Sequence, residues 1–167
     1  AVLAWLQILA AKSEAAGKLV TVEDVAKAHW AEYGRNYYVR YDYEGVDKEK
    51  ANEMMDAMGK ISLAGTQFQG MKVKMNDDFR YEDPVDGSVS ENQGIRFIFE
   101  DGSRIIFRLS GTGVAGATVR LYLEKYEGKD GDLDKHPFDM VQQLASIAMQ
   151  ISNLPEYTGC DKPTVIT

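Results

Sequence analysis

Three short segments in which apolar and polar residues alternate constrain the fold more than any other feature of the sequence. Residues 95–99 (IRFIF) and 104–110 (RIIFRLS) are separated by an Asp-Gly turn, and residues 117–126 (ATVRLYLEKY) follow after a short loop. A period of two residues is typical of strands that bury one face. Asp-Gly between two such segments indicates a hairpin. The sequence therefore predicts neighbouring antiparallel strands in this region.

Segments with helical spacing lie on both sides of these strands. The first begins with the capping pattern Thr21-x-x-Asp24 and ends at Gly34. The second, residues 47–60, repeats apolar residues at helical spacing, and we interpret its methionines as core filler and not as an adaptive binding surface. The third, residues 136–154, carries a proline near its first turn, where proline is favourable.

Two more strands and a turn-rich region complete the pattern. Residues 35–44 are dense in aromatic side chains, and both they and residues 67–75 predict strands. Residues 76–94 are rich in Asp, Asn, Gly and Ser, which predicts mainly turns. Because helices on one side of a sheet bury its apolar face economically, we predict an α+β fold with an antiparallel sheet covered by helices.

The chain begins with AVLAWLQILAAK, which is apolar on nearly every helical face. This run is too short to span a membrane, and it lacks the basic flank of a signal peptide. No capping residue precedes it, so we expect that residue 1 is not the natural start. Residues 12–19 are small and polar, which is typical of a linker. We therefore predict that residues 1–19 end a preceding domain and that residues 20–167 form a C-terminal domain.

Charge and cysteine content exclude several classes of function. The chain has 167 residues and a formal net charge of -7. Sequence-independent binding to nucleic acid or to an acidic membrane needs a positive footprint, so neither partner is expected. Cys160 is the single cysteine, which excludes an intrachain disulfide and fits a reducing, cytoplasmic setting. Because the chain as a whole is negatively charged, any anion site must depend on a local group of positive charges.

The loop SGTGVAG, residues 110–116, has the composition of such a site. If the strands on either side of it are neighbours, the arginines just before and just after the loop converge. Their planar guanidinium groups suit bidentate binding of phosphate, and hydroxyl groups of the loop add donors. Glycines let the backbone approach closely, so that successive N–H groups surround an anion. The candidate ligands are Arg108, Ser110, Gly111, Thr112 and Arg120.

The sequence pattern alone is also compatible with a loop that only connects two strands and binds nothing. Small residues commonly connect strands, and arginines in an acidic protein form salt bridges. The spacing differs from the phosphate-loop and dinucleotide signatures, because a strand and not a helix follows the loop, so nucleotide binding is not indicated. Arg35 and Arg40 flank the aromatic strand, and either a surface salt bridge or a place in an active cleft is compatible with them.

The segment RLSGTGVAGATVRLYLEKYE closely resembles the phosphate-binding loop in the C-terminal domain of the α-D-phosphohexomutase family, in particular of its eukaryotic glucose-type branch, the phosphoglucomutases. The similarity continues through AVLAWLQILA, HWAEYGRNYYVRYDYE, DPVDGSVSENQGIRFIFEDGSRIIFRLSGTG and PTVIT, and it is loose over residues 56–80. Bacterial phosphomannomutase-type relatives usually have R-x-S-G-T-E-P in this loop. Gly-Val-Ala after Thr112 therefore favours the glucose branch.

The resemblance implies a four-domain cytoplasmic enzyme that interconverts glucose 1-phosphate and glucose 6-phosphate. In such enzymes a phosphoserine lies in the first domain, Mg2+ is held in the second, and glucose 1,6-bisphosphate is the intermediate. This chain is similar to the end of the third domain (residues 1–19) and to the fourth, a TATA-box-binding-protein-like fold (residues 20–167). The fourth domain binds the nonreacting phosphate of the phosphosugar substrate. By this resemblance the contacts fall on Arg108, Ser110, Gly111, Thr112 and Arg120.

Other family motifs do not occur in this chain. The serine loop T-A-S-H-N-P and the sugar-recognition stretch G-E-E-S are absent, so we expect no catalytic residue here. The sequence KDGDLDK, residues 129–135, imitates the metal loop D-G-D-x-D, but it follows the phosphate loop and lacks the glycine and glutamate of a calcium loop. We expect a solvated turn and no metal. His29 and His136 have no recognisable catalytic partners.

Two other functions remain as alternatives to the enzyme. A phosphoglucomutase-like protein that has lost catalysis would act as a structural or interaction partner. A free-standing anion-binding module is less favoured, because the apolar first helix needs a partner surface. The remaining domains of the same protein are the partner that the resemblance implies.

Overall fold

The structure is a computed structural model that describes residues 1–111 and 116–167. These residues separate into two compact units. The first unit consists of residues 1–35 together with 127–134, and the second of residues 36–126 together with 135–167. The functional prediction concerns the second unit.

The elements are numbered in chain order. The helices are α1 (Val2–Ala16), α2 (Val22–Tyr33), α3 (Lys48–Lys60), α4 (Pro137–Ser152) and α5 (Leu154–Thr158). The strands are β1 (Arg35–Val46), β2 (Gln67–Phe68), β3 (Met71–Asp78), β4 (Tyr81–Glu82), β5 (Val89–Ser90), β6 (Ile95–Phe99), β7 (Arg104–Ser110), β8 (Ala117–Glu127) and β9 (Val165–Ile166).

The first unit contains the two N-terminal helices. Helix α1 continues to Ala16, so it takes up the first part of the linker predicted over residues 12–19. Alanines favour helix there, and Gly17 ends it in the left-handed conformation with φ of 64°. The capping box predicted for α2 is confirmed, with Asp24 N donating to Thr21 Oγ1 at 3.1 Å and Thr21 N donating to the Asp24 carboxylate at 2.8 Å. These hydrogen bonds to Thr21 lower the pKa of Asp24.

The second unit is built on a sheet. Within the described residues it has seven strands in the order β2-β3-β6-β7-β8-β1-β9. The hairpin predicted from the Asp-Gly turn is present, because β6 and β7 pair antiparallel with Ile95 opposite Phe107. Strands β7 and β8 are also antiparallel neighbours. The α+β prediction is confirmed.

One face of the sheet forms the core with helices α3 and α4. Alternate residues of the central strands are buried, which is the pattern expected of a sheet covered on one face. The methionines Met54 and Met58 of α3 are fully buried, so their interpretation as core filler is confirmed. The strand residues in this core include Phe97, Phe99, Ile105, Phe107, Val119, Leu121 and Leu123. The intervening residues, which include several arginines, point to the opposite face.

Some short elements were not predicted. In the region expected to be mainly turns, β3 extends to Asp78 and a small hairpin joins β4 to β5. Near the end of the chain, α5 and β9 add a helical turn and a strand that pairs with β1 at Tyr41 opposite Ile166. Two-residue strands carry too few positions to show a period. In the described part of the chain, no helix is long and apolar enough to cross a membrane.

Candidate functional site

Arg108 of β7 and Arg120 of β8 are directly opposite each other in the antiparallel ladder. Directly opposed residues point to the same face of a sheet, with Cβ atoms about 4.5 to 5.5 Å apart. Residues 107, 119 and 121 point into the core, so both arginines lie on the face that the helices leave open. The structure therefore brings together the two arginines that the sequence singled out.

The other predicted ligands lie at the end of β7 and beyond it. Ser110 is the last residue of β7, is half-buried and faces Thr118 across the ladder. Gly111 follows it and is exposed. Thr112 lies outside the described residues, as do residues 113–115. The predicted ring of loop amides therefore stays a prediction, whereas the places of Arg108, Ser110, Gly111 and Arg120 are defined.

Gly94 makes room for the side chain of Arg108. It has φ of 139°, and a Cβ at this position would lie 2.8 Å from Arg108 Cγ and 2.8 Å from the carbonyl oxygen of Phe107. Such contacts are shorter than packed carbon atoms tolerate, and the oxygen belongs to rigid backbone. The Arg108 side chain can thus take its position beside residue 94 because this residue is a glycine.

Among the described residues, Arg108 lines at least three cavities, the smallest of about 300 Å³. One, of about 470 Å³, lies on the open face, and its lining includes Tyr38, Arg40, Arg108 and Tyr122. Another, of about 440 Å³, includes Arg108 and Gly94 in its lining. A cavity lined by aromatic rings and a cationic group suits a ligand that has both polar groups and apolar C–H faces. A ligand in either of the two larger cavities can therefore contact Arg108.

Asp42 lies between two arginines of this face. Its side chain is only 6% exposed, and its Oδ1 is 2.9 Å from Arg40 Nε while its Oδ2 is 3.9 Å from Arg120 Nε. The short contact to Arg40 is an ion pair without hydrogen-bond geometry, because neither atom has a hydrogen-bond partner among the described residues. The same holds for the buried Nε of Arg120. Arg40, Asp42 and Arg120 are called the Asp42 cluster below.

Two other arginines on the open face are neutralised by carboxylates across the ladder. Arg104 pairs with Glu124, which stands opposite it. Arg96 makes two hydrogen bonds to Asp77, at 2.8 and 2.5 Å, and these raise the pKa of Arg96. By contrast, within residues 1–111 and 116–167 no carboxylate pairs with Arg108.

The charges that remain unpaired favour a dianion. Arg40, Arg108 and Arg120 contribute three positive charges and Asp42 one negative charge, which leaves two positive charges on the open face. A phosphate ester near neutral pH carries about two negative charges. The local charge therefore matches a phosphate group, although the whole chain is acidic.

Comparison with known proteins agrees with this geometry. Residues 35–164 match the family model described as Phosphoglucomutase-1, C-terminal domain. The chain belongs to the phosphoglucomutase family. The resemblance stated from the sequence is thereby confirmed, and the matched residues include all of β1 to α5, with the predicted phosphate loop between β7 and β8.

Individual phosphoglucomutases are similar over the full chain. Phosphoglucomutase 1, chloroplastic, of Marchantia polymorpha is 51% identical over 100% of this chain and 26% of that protein. Phosphoglucomutase-1 of Macaca fascicularis is 51% identical over 100% of this chain and 30% of that protein. The chain thus spans less than a third of the length of these relatives.

A solved structure of the family has the same fold. It is the open form of the exocytosis-sensitive phosphoprotein pp63/parafusin, a phosphoglucomutase from Paramecium. The superposition has a TM-score of 0.86 at 46% sequence identity and covers 99% of this chain and 28% of that one. This similarity supports the α+β architecture and the sheet that carries the arginines.

Other residues considered in the sequence have contacts of their own. Arg35 donates to the carbonyl oxygen of Leu133 at 2.6 Å and stacks on the Trp30 ring at 4.0 Å. His29 contacts the Tyr33 ring and His136 contacts the Phe138 ring. Both histidines thus have aromatic neighbours in the structure.

The acidic turn of residues 129–135 offers no metal site within the described residues. No group of three His, Cys, Asp or Glu side chains there could hold a metal ion. Asp134 pairs with Lys27 at 3.4 Å, and Asp132 accepts a hydrogen bond from Asp134 N at 3.3 Å. The side chains of residues 1–111 and 116–167 therefore form no group that could hold the Mg2+ that the resemblance implies for the whole enzyme.

Sequence reasoning missed Asp42. The stretch RYDYE predicts an aromatic strand, and in it only Arg40 stands out as a candidate for the cleft. In a strand, residues two apart share a face, so Arg40 and Asp42 point together to the open side. The sequence feature that points to Asp42 is this pair of charged residues in a strand otherwise rich in aromatic residues.

Proposed function

We propose that this chain forms the phosphate-binding, C-terminal part of a phosphoglucomutase. In this proposal the whole protein interconverts glucose 1-phosphate and glucose 6-phosphate, an isomerisation by intramolecular phosphoryl transfer. The chain binds the phosphate group that does not react. Its ligands are Arg108, Ser110, Gly111, Thr112 and Arg120.

The observation that carries the proposal is the pairing of Arg108 with Arg120 across β7 and β8, at the base of the Ser110-Gly111 loop. Two guanidinium groups on one face can each present a planar edge to the same tetrahedral anion. The two positive charges that Asp42 leaves uncompensated on the open face match the charge of a phosphate ester. Family membership supports the assignment of this anion to a phosphosugar.

Binding a remote phosphate can accelerate phosphoryl transfer at the other end of the sugar. Such transfers depend on positioning and on electrostatic stabilisation. A phosphate held by Arg108 and Arg120 fixes one end of the substrate, so that the opposite hydroxyl is in line with the phosphoryl donor. A site that contacts phosphate and not the ring accepts the sugar in either of the two orientations that the interconversion requires.

The remaining components belong to other parts of the proposed enzyme. A phosphoserine donor, a glucose 1,6-bisphosphate intermediate and a bound Mg2+ are part of the proposal for the whole protein. Mg2+ would supply charge stabilisation of the transferring phosphoryl group. No step is assigned to that ion on this chain, because its described side chains do not form a metal site.

The partners in this proposal are the phosphosugar and the other domains of the same protein, with no nucleic acid and no membrane. A cytoplasmic location is also part of the proposal and is supported by the single cysteine. The named relatives include both cytoplasmic and chloroplastic phosphoglucomutases. Because these relatives are named as phosphoglucomutases, the enzyme is favoured over a non-catalytic interaction protein.

The test is an assay of the full-length protein that carries this chain. We expect glucose 6-phosphate to form from glucose 1-phosphate, with strong stimulation by glucose 1,6-bisphosphate. The sequence preceding this chain should contain an intact serine loop and metal loop. A protein that lacks both loops and shows no turnover would instead support the interaction protein.

A further inference from the structure

We infer that Asp42 is a positioning residue that orients the Arg120 guanidinium toward the substrate phosphate. This inference rests on the proposed function, because it assigns a role to Asp42 through a proposed phosphate ligand. The structural basis is the Asp42 cluster, in which one buried carboxylate contacts two arginines from neighbouring strands β1 and β8.

The two arginines direct their Nε atoms inward and leave the rest of their side chains accessible. The Nε atoms of Arg40 and Arg120 are both buried. Their side chains are nevertheless 36% and 40% exposed, so the accessible surface lies on other atoms. A guanidinium has five N–H donors in a fixed plane, so that fixing the Nε edge also fixes the direction of the outer N–H groups. Asp42 can therefore aim Arg120 without occupying the edge that binds phosphate.

Arg40 keeps the carboxylate of Asp42 in place. Its Nε lies 2.9 Å from Oδ1, whereas Arg120 Nε lies 3.9 Å from Oδ2. Asp42 thus has one close partner on its own strand and one more distant partner on β8. The second contact is long enough that Arg120 can shorten it when an anion draws the guanidinium into its bound orientation.

The Asp42 cluster has buried polar atoms whose arrangement does not favour the stability of the fold. Arg40 Nε, Asp42 Oδ1 and Arg120 Nε are buried, and none of them has a hydrogen-bond partner among the described residues. Buried polar atoms without partners are costly, and in native proteins they concentrate at functional sites. Asp42 also reduces the repulsion between the positive charges of Arg40, Arg108 and Arg120 when no phosphate is bound. These properties fit a site that is completed by its ligand.

The backbone of Asp42 is held by contacts that do not involve its carboxylate. The main-chain carbonyl oxygen of Asp42 accepts hydrogen bonds from Thr164 N at 2.8 Å and from Thr164 Oγ1 at 2.9 Å, and the residue pairs with Val165 of β9. These backbone contacts remain in Asp42→Asn. The variant is therefore expected to fold, and far-ultraviolet circular dichroism and thermal unfolding check this.

The experiment is a double-mutant cycle in the full-length enzyme, with kcat/KM for glucose 1-phosphate measured for Asp42→Asn, Arg120→Ala and the double variant. We expect Asp42→Asn to lower kcat/KM by about 10- to 100-fold, because small misplacements of a ligand have effects of this size. In the Arg120→Ala background the same substitution should change kcat/KM by less than about 2-fold. A merely structural role would give the same loss in both backgrounds.

Two further variants complete the design. Asp77→Asn removes the carboxylate that pairs with Arg96 on the same open face but lies outside the cavity lined by Arg40 and Arg108, and it should leave kcat/KM nearly unchanged. Asp42→Glu keeps the charge but moves the carboxylate by one methylene group, and it should also lower kcat/KM. If Asp42→Asn does not fold, the cycle is repeated with Asp42→Glu.

The outcomes separate this inference from the proposed function. Arg120→Ala without any effect on kcat/KM would contradict the proposed phosphate site and, with it, the role of Asp42. A strong effect of Arg120→Ala together with an equal loss from Asp42→Asn in both backgrounds would overturn the inference alone. So would an Asp42→Asn variant with unchanged kcat/KM.

Discussion

Arg108 and Arg120 are cross-strand neighbours on the open face of the sheet, at the two ends of the loop that the sequence marks as a phosphate site. Their opposition in the ladder, and not their separation of twelve positions along the chain, is what brings the two residues together on one face. The antiparallel pairing of β7 and β8 thus turns two distant residues into a single candidate site.

The first prediction concerns the two arginines themselves. In the full-length enzyme, Arg108→Ala and Arg120→Ala should each weaken transition-state binding by about 2 to 5 kcal/mol, as the loss of a charge-assisted anion contact does. The measurement is kcat/KM for glucose 1-phosphate. Arg80→Ala is the control, because Arg80 pairs with Glu82 and lines neither of the two larger cavities that Arg108 lines. Unchanged kcat/KM in both Arg108→Ala and Arg120→Ala would count against the site.

The second prediction concerns Gly94, whose missing side chain makes room for Arg108. Gly94→Ala should be destabilising, because the new Cβ would lie 2.8 Å from Arg108 Cγ and from the Phe107 carbonyl oxygen, at φ of 139°. Gly102→Ala is a matched control with φ of 86° and no atom within 4 Å of the added Cβ. Urea unfolding should show a loss of about 1 kcal/mol for the control from backbone strain, and about 2 kcal/mol more for Gly94→Ala from overpacking. Equal losses would show that the contact with Arg108 is unimportant.

The third prediction concerns stability at high pH. Burial raises the pKa of the Tyr43 hydroxyl to about 12, with smaller contributions from Tyr41 and Cys160. The ordinary value is about 10, so the unfolded chain loses this proton first, and stability present below pH 10 is lost as the pH rises to 12. From pH 9 to pH 12 the wild type should lose about 2 kcal/mol more than Tyr43→Phe.

Urea unfolding at several alkaline pH values measures this loss. Tyr38→Phe, at an exposed tyrosine of the same strand, controls for the removal of a hydroxyl group. Identical alkaline slopes for the wild type and Tyr43→Phe would refute the assignment to Tyr43.

The fourth prediction concerns anion binding by this 167-residue chain. We expect only weak binding of inorganic phosphate, because in the proposed enzyme other domains complete the substrate site. NMR titration with phosphate should shift the amide signals of Ser110 and Gly111, and chloride at matched ionic strength is the control. Signals that stay unchanged even at high phosphate would remove the support for this binding.

Much of the fold could be predicted from the sequence, because its long elements have clear periods. The alternation of apolar and polar residues in 104–110 and 117–126 predicts strands β7 and β8. Because only a short loop joins them in the sequence, their antiparallel pairing could also be predicted. The short strands β4, β5 and β9 escaped prediction, since two residues show no period. Helix α1 reached further than expected, because the alanines before Gly17 favour helix as strongly as they suit a linker.

The two arginines of the candidate site could be singled out from the sequence, but the residues that contact them could not. Arg108 and Arg120 were recognisable from residue type and from the family resemblance. The roles of Gly94 and Asp42 depend on contacts between β1, β7, β8 and the segment before β6, which no local pattern encodes. Long-range register, which brings Asp42 beside Arg120, is a property of the assembled sheet.

The most direct test of the central claim is a crystal structure of the full-length protein with glucose 6-phosphate or inorganic phosphate bound. We predict a phosphate group with oxygens within about 3.2 Å of guanidinium nitrogens of both Arg108 and Arg120. A phosphate bound elsewhere, with these two side chains pointing away from each other, would contradict the account.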